Sequence, residues 1–280
     1  MHSLSQPYAV GIVCGQGIHE VTVSPSRPLK VKSMPILRSL LLLIALLSPA
    51  FGEDGPQGAA GAKDAVQALQ LYLDGVAKDG GRPDYTKPPA SELFLKVFDL
   101  AQLTALPPPT AADVGWLIQW FTAASQANKL IIYFDTAPGP NPDEIAVLRN
   151  LKEYENQYAA AMNSMIRLAA REATALSLYV NQLTPEQRTP VREAGLLKAR
   201  SGAAELLASA IGLVAQGIGP DNARLMSTAL KDTRNVWASY LLLDDRKQVI
   251  GYLAKAIGLV TNDEVKADLV AVSDALTVGK

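Results

Sequence analysis

Cysteine and histidine are almost missing from this chain. Its 280 residues hold one cysteine, Cys14, and two histidines, His2 and His19. From residue 20 onward there is neither a thiol nor an imidazole. Ser-His-Asp and Cys-His catalysis both need an imidazole base, so those mechanisms are closed to the rest of the chain. Zinc and copper sites, which draw most of their ligands from His and Cys, are closed with them. Disulfides are excluded too, so the fold must stand on its apolar core. Aromatic residues are only 6% of the chain, few for a sugar cleft lined with rings. The 26 basic side chains form no runs and face 27 acidic ones. Nucleic-acid backbones and anionic membrane surfaces are bound by clustered Lys and Arg, so neither is an expected partner. No P-loop, G-x-G-x-x-G or D-x-[DN]-x-[DN]-G calcium run occurs. No cofactor and no metal is expected.

What is present most conspicuously is the stretch Met34 to Gly52, MPILRSLLLLIALLSPAFG. Arg38, with Lys30 and Lys32 upstream, leads into an unbroken apolar run from Leu40 to Leu47. Pro49 and small residues then place an A-x-G cleavage signal at Ala50-Phe51-Gly52, with cleavage after Ala50 as the alternative. The apolar core is shorter than the roughly 20 residues a membrane-spanning helix needs. The pattern therefore predicts a signal peptide over 34–52 and an exported chain from Glu53, periplasmic or secreted, without a membrane anchor after cleavage. Residues 1–33 carry Pro7, Pro25 and Pro28 and no sustained period; they read as a non-native or disordered extension ahead of a start at Met34. The first 52 residues hold four basic side chains (Arg27, Lys30, Lys32, Arg38) and one acid, Glu20, leaving 22 basic and 26 acidic, a net charge of −4 over 53–280.

Within 53–280 the hydrophobic period is helical almost throughout. Ala62 to Val76 places Val66, Leu69, Leu73 and Val76 on one face. Ser91 opens a second helix that ends before Pro107-Pro108-Pro109, and Thr110 with Asp113 opens a third running toward Phe134. Leu130 to Phe134 (LIIYF) is the one place where a strand competes, by its β-branched and aromatic content. After the break Ala137–Pro142, a long helix is expected over Pro142–Gln182. Its stripe is Tyr158, Met162, Met165, Ala169, Ala173, Leu176, Val180 and Leu183. Thr184-Pro185-Glu186-Gln187 has the form of a capping box opening the next helix, with Pro190 as a rival start.

An internal echo follows. LASAIGLV at 207–214 recurs as LAKAIGLV at 253–260, identical at seven of eight positions and offset by 46. The spacing suits a helical hairpin, and Gly212 and Gly258 are read as points of close helix approach. The expectation is an all-α bundle of about seven or eight helices, with one long helix and a C-terminal pair of similar hairpins. It forms one domain, or two halves divided near 137–142.

Carboxylate chemistry is what survives the exclusions. A glycosidase needs two acids facing across a cleft; the candidates are Asp143-Glu144, Glu153/Glu155, Asp244-Asp245 and Asp263-Glu264. Most of these stand at helix starts, where the dipole favours acids. Trp116, Trp120 and Phe121, with Tyr154 and Tyr158, form two aromatic clusters at helical spacing. They are read as core, or alternatively as a ligand or partner groove between helices. Leu183-Thr184-Pro185-Glu186-Gln187-Arg188 resembles the LTxxQ motif of the Spy-type periplasmic chaperones. That resemblance implies a helical exported chaperone, although the family's second copy of the motif and its basic charge are missing. The leading expectation is a non-enzymatic binding or scaffolding protein of the bacterial envelope with an unidentified protein partner. A Spy-like chaperone and a carboxylate-based cell-wall glycan hydrolase are the alternatives.

Overall fold

Side-chain caps and prolines set several of the helix starts among the described residues: Asp99, Asp143 and Thr189 cap theirs, and Pro190 and Pro220 open theirs. The computed structural model describes residues 55, 57–136 and 143–278. Contacts divide the chain at Ser33/Met34, and every described residue belongs to the second unit. The extension 1–33, the signal peptide 34–52 and the break 137–142 lie outside the described residues. Those that are described form an all-α bundle with no strand. Among the described residues no helix is long and apolar enough to cross a membrane.

The first helix, α1 (Gln57–Lys78), closes at Gly80. Its φ of 68° lets the Gly80 and Gly81 N–H groups return to the Ala77 and Val76 carbonyls. The segment read as one helix from Ser91 is two, α2 (Ala90–Val97) and α3 (Leu100–Ala105). Asp99 makes the break: its Oδ1 accepts the Gln102 N–H at 2.8 Å and caps α3. The carbonyls freed there find partners, Val97 O from Trp120 Nε1 at 2.9 Å and Phe98 O from Ser164 Oγ at 3.3 Å. A 3-10 turn, Ala111–Asp113, leads into α4 (Val114–Ile132), which takes in Leu130 to Ile132 and settles that run as helix.

The long helix is interrupted. It consists of α5 (Glu144–Glu153) and α6 (Glu155–Gln182), with Tyr154 between them at φ −107°, ψ 31°. Backbone bonds still cross the joint (Tyr154 N to Asn150 O, Tyr158 N to Tyr154 O), so it is a kink. At 28 residues α6 is about 42 Å long. The capping box at Thr184 exists, with Gln187 Oε1 accepting the Thr184 N–H at 3.0 Å. It starts only the 3-10 turn Pro185–Gln187; α7 (Pro190–Ala215) begins at Pro190, capped by Thr189. Then follow α8 (Pro220–Tyr240), α9 (Leu243–Leu259) and α10 (Asp263–Val278).

The helix α6 joins the two ends of the bundle. On one flank α4 runs antiparallel to it, with Asn128 beside Tyr158 and Asp113 beside Arg171. On the other flank α8 runs parallel: Glu155 Oε1 accepts Gly219 N and Asn222 Nδ2 at 2.6 and 2.7 Å, and Arg167 pairs with Asp232 at 2.7 Å.

The echo is structural. Hairpins α7–α8 and α9–α10 stack with α9 on α7 and α10 on α8. At the 46-residue offset, Ala203/Val249, Leu207/Leu253 and Ala210/Ala256 are buried on the first helices, and Ala223/Leu269, Met226/Val272 and Leu230/Leu276 on the second. Polar positions correspond as well. Asn222 bonds back to Glu155 and Asn156 of α6, and its counterpart Asp268 bonds back to Ser227, Thr228 and Lys231 of α8. The last hairpin has no further helix on its outer side among the described residues, so Leu259 is 61% exposed where Leu213 is 4%.

The reading of Gly212 and Gly258 as close-approach points is corrected: a Cβ at either would meet nothing within 4 Å. Each glycine therefore costs helix stability without a packing return. Gly212→Ala, inside α7, is expected to stabilise the domain by about 1 kcal/mol, and Gly258→Ala, next to the end of α9, by less. Urea unfolding measures both, and a loss of stability in Gly212→Ala would contradict this packing.

Candidate functional site

All five aromatic candidates are buried. The structure brings Trp116 and Trp120 together, ring centroids 6.4 Å apart. Trp116 Nε1 donates to Asp113 Oδ1 at 2.9 Å, and Trp120 Nε1 to the carbonyl at the α2 break. Phe121 reaches a small cavity of about 20 Å³ between α4, α6, α7 and α8. Tyr154 lies apart from the α4 rings, edge-on to Tyr85 at 5.2 Å. The Arg82 guanidinium lies over both Tyr154 and Phe134 and is held by Glu153 and Asn150. Asn150 Nδ2 in turn donates to Ile132 O and Phe134 O at the end of α4. This cluster binds the 79–89 loop to α5. Tyr158 is enclosed beside Asn128, and burial raises its hydroxyl pKa. None of these rings is in the lining of the open groove between α6 and α7. Trp116, Trp120 and Trp237 are 8%, 1% and 0% exposed, so acrylamide is expected to quench the fluorescence only weakly; quenching close to that of free tryptophan would show that the α4 cluster opens.

Five of the eight candidate acids are taken up by caps and ion pairs. Asp143 Oδ1 caps α5 through Ile145 N, Glu153 pairs with Arg82, and Glu155 holds the start of α8. Asp244 meets Lys247 and Glu264 meets Arg224. Asp245 is different. Burial first, and then Asp244, push its pKa up; Glu205 on α7 is likewise raised by burial and then by Asp245.

Two features carry chemistry that the residue pattern did not single out. The first is Glu172, buried in the middle of α6 at the wall of the 20 Å³ cavity. Burial alone pushes its carboxyl up to about 8, and the cavity has room for one water. Tyr240 on α8 is the polar group facing it, with the guanidinium of Arg200 on α7 5.6 Å from the Tyr240 ring centre; α4 contributes only Phe121.

The second feature is an open groove of about 350 Å³ between the end of α6 and the start of α7. It exists because α6 outruns its neighbours. The pairing of Arg167 with Asp232 sets a 65-residue offset between the parallel helices, so the end of α8 at Tyr240 falls opposite residue 175. The start of α4 falls opposite Arg171. The last two turns of α6 are left to α7, and α7 meets α6 only briefly. The α6 stripe is buried from Tyr158 to Leu176 and then half-exposed at Val180 and Leu183. Leu196 and Leu197 form the opposite wall, and Arg188, Arg192, Arg200 and Glu193 are the charged groups in the lining. The apolar stripe was the signal for this groove, since it continues for two turns beyond the helices that cover it.

Comparison with protein-family models, curated proteins and solved structures finds no match.

Proposed function

We propose that this is an exported, non-enzymatic binding protein of the bacterial envelope. The observation that carries this reading is the α6/α7 groove, an open concavity with apolar walls and arginines in its lining. Pockets of about 300–1,000 Å³ with a few placed polar groups are the usual form of small-ligand sites. Three further points support it. The leader-like stretch 34–52 argues for export, and a short leader on a chain without disulfides suits a bacterial envelope. Five of the eight candidate acids of a glycan hydrolase (Asp143, Glu153, Glu155, Asp244 and Glu264) are engaged in caps and ion pairs. The test is affinity purification of the exported form, with mass spectrometry reading its N-terminus and whatever co-purifies. An N-terminus at Glu53 or Phe51 with a stoichiometric companion, small or large, is the expected result. Peptides from residues 1–33 in the exported form, or turnover of cell-wall glycan by the purified protein, would sink it.

The Spy-like alternative keeps one observation in its favour: Leu183 and Arg188, the two ends of the LTPEQR segment, both line the groove. Suppression of client aggregation at stoichiometric ratio is what that reading requires, and failure in excess removes it.

A further inference from the structure

We propose that the α6/α7 groove binds a single-chain amphiphile with an anionic head group. The chain would lie along Leu176, Val180, Leu183 and Leu196, and the head at Arg188 and Arg192. This rests on the binding reading above and names the ligand class for the same site.

The walls select for an extended apolar chain. The α6 side is Leu176, Val180 and Leu183, the α7 side Leu196 and Leu197, and a polar ligand would leave these surfaces without matching contacts. The volume of about 350 Å³ lies at the small-ligand end of pocket sizes. One acyl chain fits.

The head is set by charge. Arg188 Nη2 reaches the Val180 carbonyl at 3.5 Å and Arg192 Nη1 the Gln187 carbonyl at 2.8 Å. Neither has a carboxylate within ion-pair distance among the described residues. Both forks therefore retain donors for an oxyanion, which guanidinium binds in bidentate fashion. Arg200 lies over the Tyr240 ring and is sensed electrostatically by the Asp245 carboxyl. Glu193 is the one acid in the lining, so the mouth carries a positive excess that attracts an anion and opposes a cation.

Calorimetric titration of the full-length chain tests this with dodecanoate, dodecyl phosphate and dodecyltrimethylammonium, each below its micellar concentration. The expected result is one-to-one binding of the anions, at least tenfold tighter than the cation. The carboxylate and phosphate arms distinguish a free fatty acid from a phosphate-headed lipid as the natural source. Charge reversal in Arg188→Glu/Arg192→Glu is expected to weaken the anions at least tenfold. Leu197→Gln, on a half-exposed wall residue, should weaken them about fivefold with an unchanged circular dichroism spectrum and melting midpoint, which separates lost contact from lost fold. Equal affinity for anion and cation, anion binding indifferent to both variants, or no saturable binding overturns the proposal. A stoichiometric companion of other chemistry in the affinity purification would then leave the binding reading standing without this ligand class.

Discussion

Replacing Glu172 with glutamine is expected to stabilise the protein by about 3–5 kcal/mol at pH 8 and by less than about 1 kcal/mol at pH 5. The sign follows from proton linkage. In the unfolded chain this carboxyl titrates near its ordinary value of 4.5, and in the folded protein burial raises it to about 8. Between those values the folded state holds a proton that the unfolded state has released. Stability is then at its fullest below pH 4.5 and falls by about 1.4 kcal/mol per pH unit until pH 8, where the folded carboxyl itself ionises. A water in the adjoining cavity would place the total toward the lower figure.

The window is unusually clean. No histidine lies among the described residues, so the side chain that normally dominates between pH 5 and 8 is missing. Tyr240, which faces Glu172, has its hydroxyl raised above its ordinary value by burial and stays neutral there. Glu205 and Asp245, also raised by burial, add a smaller slope of the same sign. Carboxyls held low by their partners, such as Glu153 beside Arg82 and Asp113 beside Thr110 and Trp116, act in the opposite direction and only at more acid pH. Urea unfolding at four pH values between 5 and 8 measures the slope in wild type and in Glu172→Gln. A flat wild-type profile, or an equal slope in both proteins, would show that Glu172 is not enclosed as described.

Asp268→Ala is expected to cost about 2–4 kcal/mol and to loosen the last hairpin selectively. The Asp268 carboxylate is buried between α10 and α8 and is held by Ser227 Oγ at 3.0 Å, Thr228 Oγ1 at 3.3 Å and Lys231 Nζ. Removing it strips Lys231 of its partner and leaves the Ser227 hydroxyl only a 3.2 Å contact with the Arg224 carbonyl. Because α9 and α10 close the stack, no described helix on their outer side compensates. Amide exchange should accelerate in α9 and α10 well before it does in α4 and α6. Uniform acceleration, or none, would mean the repeat is held by its apolar face alone. Lys231→Met should cost no less, since it leaves the buried Asp268 carboxylate with two hydroxyl donors and no counter-charge.

The all-α class was legible because apolar spacing of three and four residues needs no tertiary information to be read. The breaks were harder. Thr110 and Thr184 were visible as capping positions, but each opens only a single 3-10 turn before the longer helix. Asp99 was not seen as a cap because a mid-helix aspartate and a capping one look alike until the chain turns. Tyr154 divides the long helix without proline or glycine, in a place where Arg82 from a distant loop packs on its ring. The aromatic candidates lay where apolar burial places large rings. The groove depended on where α4 and α8 stop beside α6, a matter of register between helices tens of residues apart.

The sequence by itself determined the helices, the repeat and the chemistries closed to residues 20 onward, because periodicity, a 46-residue echo and the loss of His and Cys are local or compositional facts. Tertiary structure alone decided what the buried acids do and where a ligand could lie. Glu172 is an ordinary glutamate in the one-dimensional pattern; its shifted proton affinity comes from α4, α7 and α8 closing around it. The groove likewise belongs to no segment, since it is the space left where α6 extends beyond the two helices that cover the rest of its stripe.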